Sequence, residues 1–275
     1  MLDRGKAADF VEKSPKNYIS REYALSDDVV GMKIFEAPVF AVGDAQDEYF
    51  RKLKEPQAVG PHFMLPQEWL PGAKRVVSFF LPFSREIKKS NLPFVREPSN
   101  GWLHGRIEGQ AFLMDVCRFL KKELESEGEK ALIPLADPRF RSVEEAGSSE
   151  RFKDKTTAYT SSWSERHVAY VCGLGTFSLS KGLITEKGVC GRFGSIVTTM
   201  ELPVTERPYK GLYDYCTFCG ACISHCPVGA ISLENGKDHE KCRQHLKWTT
   251  EEYAPRYGCG KCQVQVPCMS RIPGR

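Results

Sequence analysis

Apolar positions along the chain fall into short runs separated by polar, turn-rich stretches, with one long helical stripe between them. The clearest run is Lys74-Arg-Val-Val-Ser-Phe-Phe-Leu-Pro82, which predicts a buried strand. Val29-Val-Gly-Met-Lys-Ile-Phe35 and Pro38-Val-Phe-Ala-Val42 carry β-branched and aromatic residues between turn formers, so strands are expected there too. Further strands are expected at 131–136, 183–185 and 194–200. From Arg106 to about Glu127 the apolar residues Ile107, Ala111, Phe112, Val116, Phe119, Leu120 and Leu124 recur at helical spacing, and Gly128 follows as a stop.

Shorter helices are expected at 7–13 and 47–54, and from a cap at Ser162 or Ser164 through Cys172 to Gly173. Residues 66–72 read as a turn-rich connector, 84–104 as a loop and 203–211 as a linker. The fold class is therefore α/β (α+β), with residues 1–205 as one domain and 206–275 as a small C-terminal module.

Composition is that of an ordinary globular protein, 41% hydrophobic and 27% charged. The sequence has no apolar run of transmembrane length, and its N-terminus is polar. A cytoplasmic protein without a membrane partner is expected. The formal net charge of +4 is mild, and it does not support nucleic-acid binding.

The cysteines change the picture. Eight of the eleven lie within 216–268, which suits metal-bound thiolates in a reducing compartment better than a disulfide scaffold. Cys216-Thr-Phe-Cys219-Gly-Ala-Cys222-Ile-Ser-His-Cys226-Pro227 is the C-x2-C-x2-C-x3-C-P run of bacterial [4Fe–4S] proteins. Its fourth cysteine usually ligates a second cluster. Cys242, Cys259, Cys262 and Cys268 supply the rest. The expected sets are Cys216, Cys219, Cys222 and Cys268 on one cluster, and Cys226, Cys242, Cys259 and Cys262 on the other.

Structural zinc prefers two C-x2-C pairs a dozen or more residues apart, a pattern this run does not follow. His225 is expected beside the ligands, not among them. Cys117, Cys172 and Cys190 are expected to be buried apolar groups. No dinucleotide fingerprint, Walker A sequence or HExxH occurs upstream.

Leu70-Pro-Gly-Ala-Lys-Arg-Val-Val-Ser-Phe79, then Glu165-Arg166 leading into Gly173-Leu-Gly175, then the cysteine tail, occur in that order. This order resembles the epoxyqueuosine reductase family and its relatives, the corrinoid-dependent reductive dehalogenases. The resemblance implies a nitroreductase-like N-terminal domain that binds cobalamin, with a pocket near Gly173 and Gly175. It also implies electrons from a ferredoxin or flavodoxin type donor, and a small-molecule or modified-nucleoside substrate.

Where the family carries an aspartate as proton donor, Tyr159 stands here, and the dehalogenase relatives resemble this in using a tyrosine. Ser178-Leu179 replaces the family's Gly-Lys, and the chain stops seven residues after Cys268, where many epoxyqueuosine reductases continue into a helical-repeat tail. The first reading is an iron–sulfur reductase that relays electrons to a corrinoid. The second is a ferredoxin-type carrier with no corrinoid or substrate of its own. A cluster-sensing module is the third.

Overall fold

A computed structural model describes residues 3–92, 95–143 and 160–274. Its centre is a four-stranded sheet of β1 (Val39–Asp44), β2 (Arg75–Pro82), β3 (Ala131–Leu132) and β4 (Gly191–Thr198). The strand order is β1-β2-β4-β3, and every pairing is antiparallel. The fold is thus a mixture of helix and sheet in the α+β sense.

β2 and β4 pair along their whole length, with Ser78 opposite Ser195 and Phe79 opposite Gly194. The continuous apolar run of β2 reflects helices on both sides of the sheet. Side chains along a strand alternate faces, so positions three apart point opposite ways. A Cβ on Gly43, in the column of Val76, would lie 2.8 Å from Cys172 Sγ, on α4 (Glu165–Cys172). A Cβ on Gly194, in the column of Phe79, would lie 3.0 Å from Cys117 Sγ, on α3 (Asn100–Glu125). α4 therefore covers one face and α3 the other. Cys117, Cys172 and Cys190 are all buried thiols, as free cysteines in a core commonly are.

α1 (Arg4–Lys13) packs on α3 through Phe10, stacked on Phe119 at 4.4 Å. The expected strand at Val29–Phe35 is not one. Gly31 adopts a φ of 76°, which breaks the extended path, and the Asn17 side chain replaces a strand partner. Its Nδ2 donates to Phe35 O at 3.0 Å, and its Oδ1 accepts from Phe35 N at 2.9 Å.

The expected loop at 84–104 is also helical. α2 (Arg85–Ser90) is capped by Ser84, and α3 begins at Asn100, capped by Ser99. Gly101, Gly105 and Gly109 form a stripe that admits neighbours closely: a Cβ on Gly105 would come within 3.0 Å of Phe83, and one on Gly109 within 3.0 Å of Phe35. Glycines that argue against a helix locally are needed here for packing. The connector at 66–72 contains a short helix, Pro66–Trp69, and the apolar run at 131–136 is a two-residue strand followed by a 3-10 turn at Pro134–Ala136.

The segment expected as a linker runs along the sheet edge instead of spanning free space. Thr205 N donates to Val42 O at 2.8 Å, and Tyr209 Oη donates to Tyr170 O at 2.6 Å. Beyond Tyr215 the chain holds few regular elements: a short helix at Ala221–Ser224, a two-residue hairpin at 231–237, and α5 (His239–Tyr253).

Candidate iron–sulfur centre and the recess beside it

Tight turns present the cysteines. Phe218 and Gly220 take positive φ (50° and 76°), which folds 216–222 back on itself. Cys216, Cys219, Cys222 and Cys268 then line one cavity of about 350 Å³, walled by Leu179, Ile184 and Val266. Cys268 comes from the end of the chain and closes the cavity that the first three open. Burial pushes its thiol up to about 12, and its charged neighbours are Cys216, Cys222 and Cys219.

The other four cysteines also keep company. Cys262 has its thiol raised by burial, against the pull of Lys237, and is raised further by Cys242 and Cys226. Cys259 is pushed up to about 12 by burial, with Cys262 and Cys242 as its charged neighbours. Cys226 Sγ accepts from Ala230 N at 3.2 Å, a bond that favours a thiolate. Cys242 sits in the first turn of α5, where the helix dipole does the same. Cys222 is raised to about 11, by burial first and then by Cys262, so the two sets adjoin at these two residues.

Thiols held this way keep their protons at neutral pH unless a cation offsets the gathered charge. Among the described residues, no three His, Cys, Asp or Glu groups converge as they would on a single metal ion. A four-iron cubane puts each thiolate on a different iron, so its ligands stand apart. The cysteines present fit such a group.

The module is seated firmly on the upstream chain. A Cβ on Gly260 would fall 1.9 Å from Trp102 Cζ2, so only glycine allows that contact. Lys261 Nζ donates to Asn91 O at 2.8 Å, and Asn91 Nδ2 donates to Cys259 O at 2.9 Å. Arg256 pairs with Glu108 at 2.6 Å. Val189 N donates to Cys268 O at 2.9 Å, and Cys190 Sγ donates to Gln263 O at 2.9 Å.

Behind Cys242 and Cys262 lies a recess reached from α3, α4 and β4. Arg166 is surrounded by protein yet keeps exposed surface, so it faces a deep crevice. Arg106 and Arg192 stand near it. Burial lowers Arg192 to about 9, assisted by the positive charges of Arg106 and Arg166.

On the core side of α4, both carboxylate oxygens of Glu165 are buried without a hydrogen bond of good geometry. Burial raises Glu165 to about 8, tempered by nearby Ser195 and Trp163, which bond to each other at 2.9 Å. Sequence reasoning did not find the recess. Single arginines at 106, 166 and 192 carry no pattern until the fold gathers them.

Tyr159 lies outside the described residues. Gly173 caps α4 at a φ of 103°. A Cβ on Gly175 would fall 1.9 Å from Ile184 O. Both glycines are needed for the chain's own packing, and neither offers an open face to a corrinoid.

A family model described as a 4Fe-4S binding domain matches residues 212–232. The epoxyqueuosine reductase of Bacillus cereus is 26% identical over 212 residues, covering 74% of this chain and 50% of that protein. The Escherichia coli epoxyqueuosine reductase is 28% identical over 216 residues, with the same coverage of 74% and 50%. The chain spans about half the length of the curated relatives it matches. Among solved structures, epoxyqueuosine reductase from Streptococcus thermophilus superposes with a TM-score of 0.51 at 16% identity, covering 84% of this chain and 62% of that one. A catabolic reductive dehalogenase superposes at 0.51 and 14%, covering 86% and 30%. No described helix is long and apolar enough to cross a membrane. The chain is similar in sequence to the epoxyqueuosine reductases, shares their fold, and carries a 4Fe-4S binding segment in its C-terminal region.

Proposed function

We propose that this chain is an iron–sulfur oxidoreductase with two [4Fe–4S] clusters, held by Cys216, Cys219, Cys222 and Cys268 and by Cys226, Cys242, Cys259 and Cys262. Residues 206–275 act as the electron-transfer module, and residues 1–205 hold what is reduced. When bound, the clusters supply one-electron transfer between an external donor and an acceptor. The observation that carries the reading is the gathering of Cys268 with the first three cysteines around one cavity.

Cys219 is exposed, and Phe218 beside it is 47% exposed, which opens the first set to a docking donor of ferredoxin or flavodoxin type. Cys222 and Cys262 bring the two sets together. Cys262 and Cys242 face Arg166, so the second set adjoins the recess, where the acceptor binds.

A corrinoid is the acceptor implied by the family resemblance. Gly173 and Gly175 do not fit it, so the reading rests on the cysteines and the recess. One solved relative is in complex with an epoxyqueuosine-modified tRNA stem loop, which makes a modified nucleoside one substrate class to assay. The exposure of Cys219 equally suits a carrier that serves a partner protein.

The test is anaerobic purification with iron and sulfide counted, then titration with cobalamin followed by visible and EPR spectra. About eight irons per chain are expected from two cubanes. About four would remove the second set, and none would remove the reading. A new cob(II)alamin signal would identify the acceptor as a corrinoid, and its absence at full iron content would favour the carrier.

A further inference from the structure

Arg106 on α3, Arg166 on α4 and Arg192 on β4 come from distant parts of the chain into one recess. Arg166 feels the positive charge of Arg106, and Arg192 feels both. Like charges gathered away from bulk water repel strongly, so an anion is expected among them. Among the described residues no carboxylate pairs with any of the three. Their contacts are neutral. Arg192 Nε donates to Gln110 Oε1 at 2.8 Å, and Arg166 Nη1 donates to Lys181 O at 2.7 Å. The guanidinium of Arg106 lies 4.1 Å from the ring centroid of Tyr257, and its Nε is buried without a partner.

Other partly buried arginines do have their carboxylates. Arg256 has Glu108 at 2.6 Å, Arg207 has Asp47 at 2.9 Å, and Arg75 has Glu201 at 3.0 Å. The recess is built as well as charged: the stem of Arg106 packs against the backbone of Gly258, where a Cβ would come within 2.9 Å. A simpler account is that the arginines only balance a cluster, which carries about −2 with four thiolates. That serves for Arg166, which faces Cys262 and Cys242. It does not serve for Arg192, whose charged neighbours are Arg106, Tyr257 and Arg166, with no cysteine among them.

We propose that the recess binds an oxyanion, a phosphate or carboxylate group on a small-molecule ligand, gripped by Arg106 and Arg192 with Arg166 between it and the second cysteine set. The planar guanidinium fork matches both groups. The binding site stands on the arginines alone. Its service as the acceptor site rests on the function proposed above.

The test uses anaerobically purified full-length protein with its iron counted, titrated calorimetrically at low ionic strength with inorganic phosphate and, separately, with malonate. One saturable site is expected, about 10- to 100-fold weaker in Arg192→Gln and in Arg106→Gln, since each removes a charged hydrogen-bond donor. Arg192→Lys, which keeps the charge and loses the fork, is expected to fall between. Lys121→Gln, on the far surface, is expected to bind as the parent does. A preference for phosphate or for malonate names the group on the natural ligand. No saturable binding of either probe, or equal affinity in both glutamine variants at parental iron content, overturns the proposal. Anion binding in protein that holds no iron would leave this site standing and remove the two-cluster reading instead.

Discussion

The two ends of the molecule are held together by different means. Upstream, β2 and β4 lie between two helices, and Phe79, Phe80, Leu81, Ile196 and Val197 are fully buried. Downstream of Tyr215, the buried apolar side chains are only Ala230, Ile231, Val264 and Val266. So small an apolar core does not order some sixty residues against their chain entropy. The cysteine sets occupy the places where a core would be. One half folds on its own side chains, and the other depends on what its side chains bind.

The largest effect that would break this contrast is metal removal. Stripping the iron anaerobically should release amide protection across residues 216–274 in hydrogen-exchange mass spectrometry, while 75–82 and 191–198 stay protected. Metal binding of this structural kind contributes on the order of 10 kcal/mol. Unchanged exchange in the tail would mean that the module folds without its metal.

Phe80→Ala reverses the roles. Phe80 is fully buried and packs on Phe193 at 4.6 Å between ring centroids. Its loss should cost about 3–5 kcal/mol in chemical denaturation. Iron per folded molecule should not change.

Gly260→Ala tests the seam. At a φ of 70° and with Trp102 in the way, a methyl should cost roughly 1–3 kcal/mol. The effect should appear as faster exchange at 254–262 and altered Trp102 emission, with the sheet unaffected. Slow exchange at 254–262 in this variant would show that the seam is not where the module is anchored.

The smallest effect is a pH slope. Glu165 begins α4, where the helix dipole favours a charge by about 0.3–1 kcal/mol, but burial opposes it by more. The folded protein therefore holds a proton that the unfolded chain releases at the ordinary 4.5. Stability from this group is complete below about 4.5, falls as pH rises toward about 8, and is constant beyond. The slope is at most about 1.4 kcal/mol per pH unit. Glu165→Gln should flatten it in denaturation series across that window.

The contrast also governs what could be read in advance. Cys216–Pro227 was legible because cluster ligation depends on spacing within a few residues. β2 was legible because burial on both faces leaves an unbroken apolar run. α3 was read late by several residues, since Gly101 and Gly105 weaken a helix locally and serve packing against Phe83. Val29–Phe35 was misread because Asn17, far along the chain, supplies the hydrogen bonds a strand neighbour would. The arginine recess was invisible, because proximity of positions 106, 166 and 192 is a property of the fold alone.

The hydrogen bond from Val189 N to Cys268 O joins a cluster ligand to the residues that lead into the central strand. Nearby, a Cβ on Gly188 would strike the backbone of Met269 and Ser270 at 2.5 Å. The five residues between Cys262 and Cys268 therefore answer to two masters, the ligand geometry and the register of β4. A one-residue insertion there would have to break one or the other. The hairpin tip around Leu233–Asn235, with Leu233 56% exposed, answers to neither. Length variation among descendants of this chain, or a tag placed by design, belongs at that tip and not in the last loop.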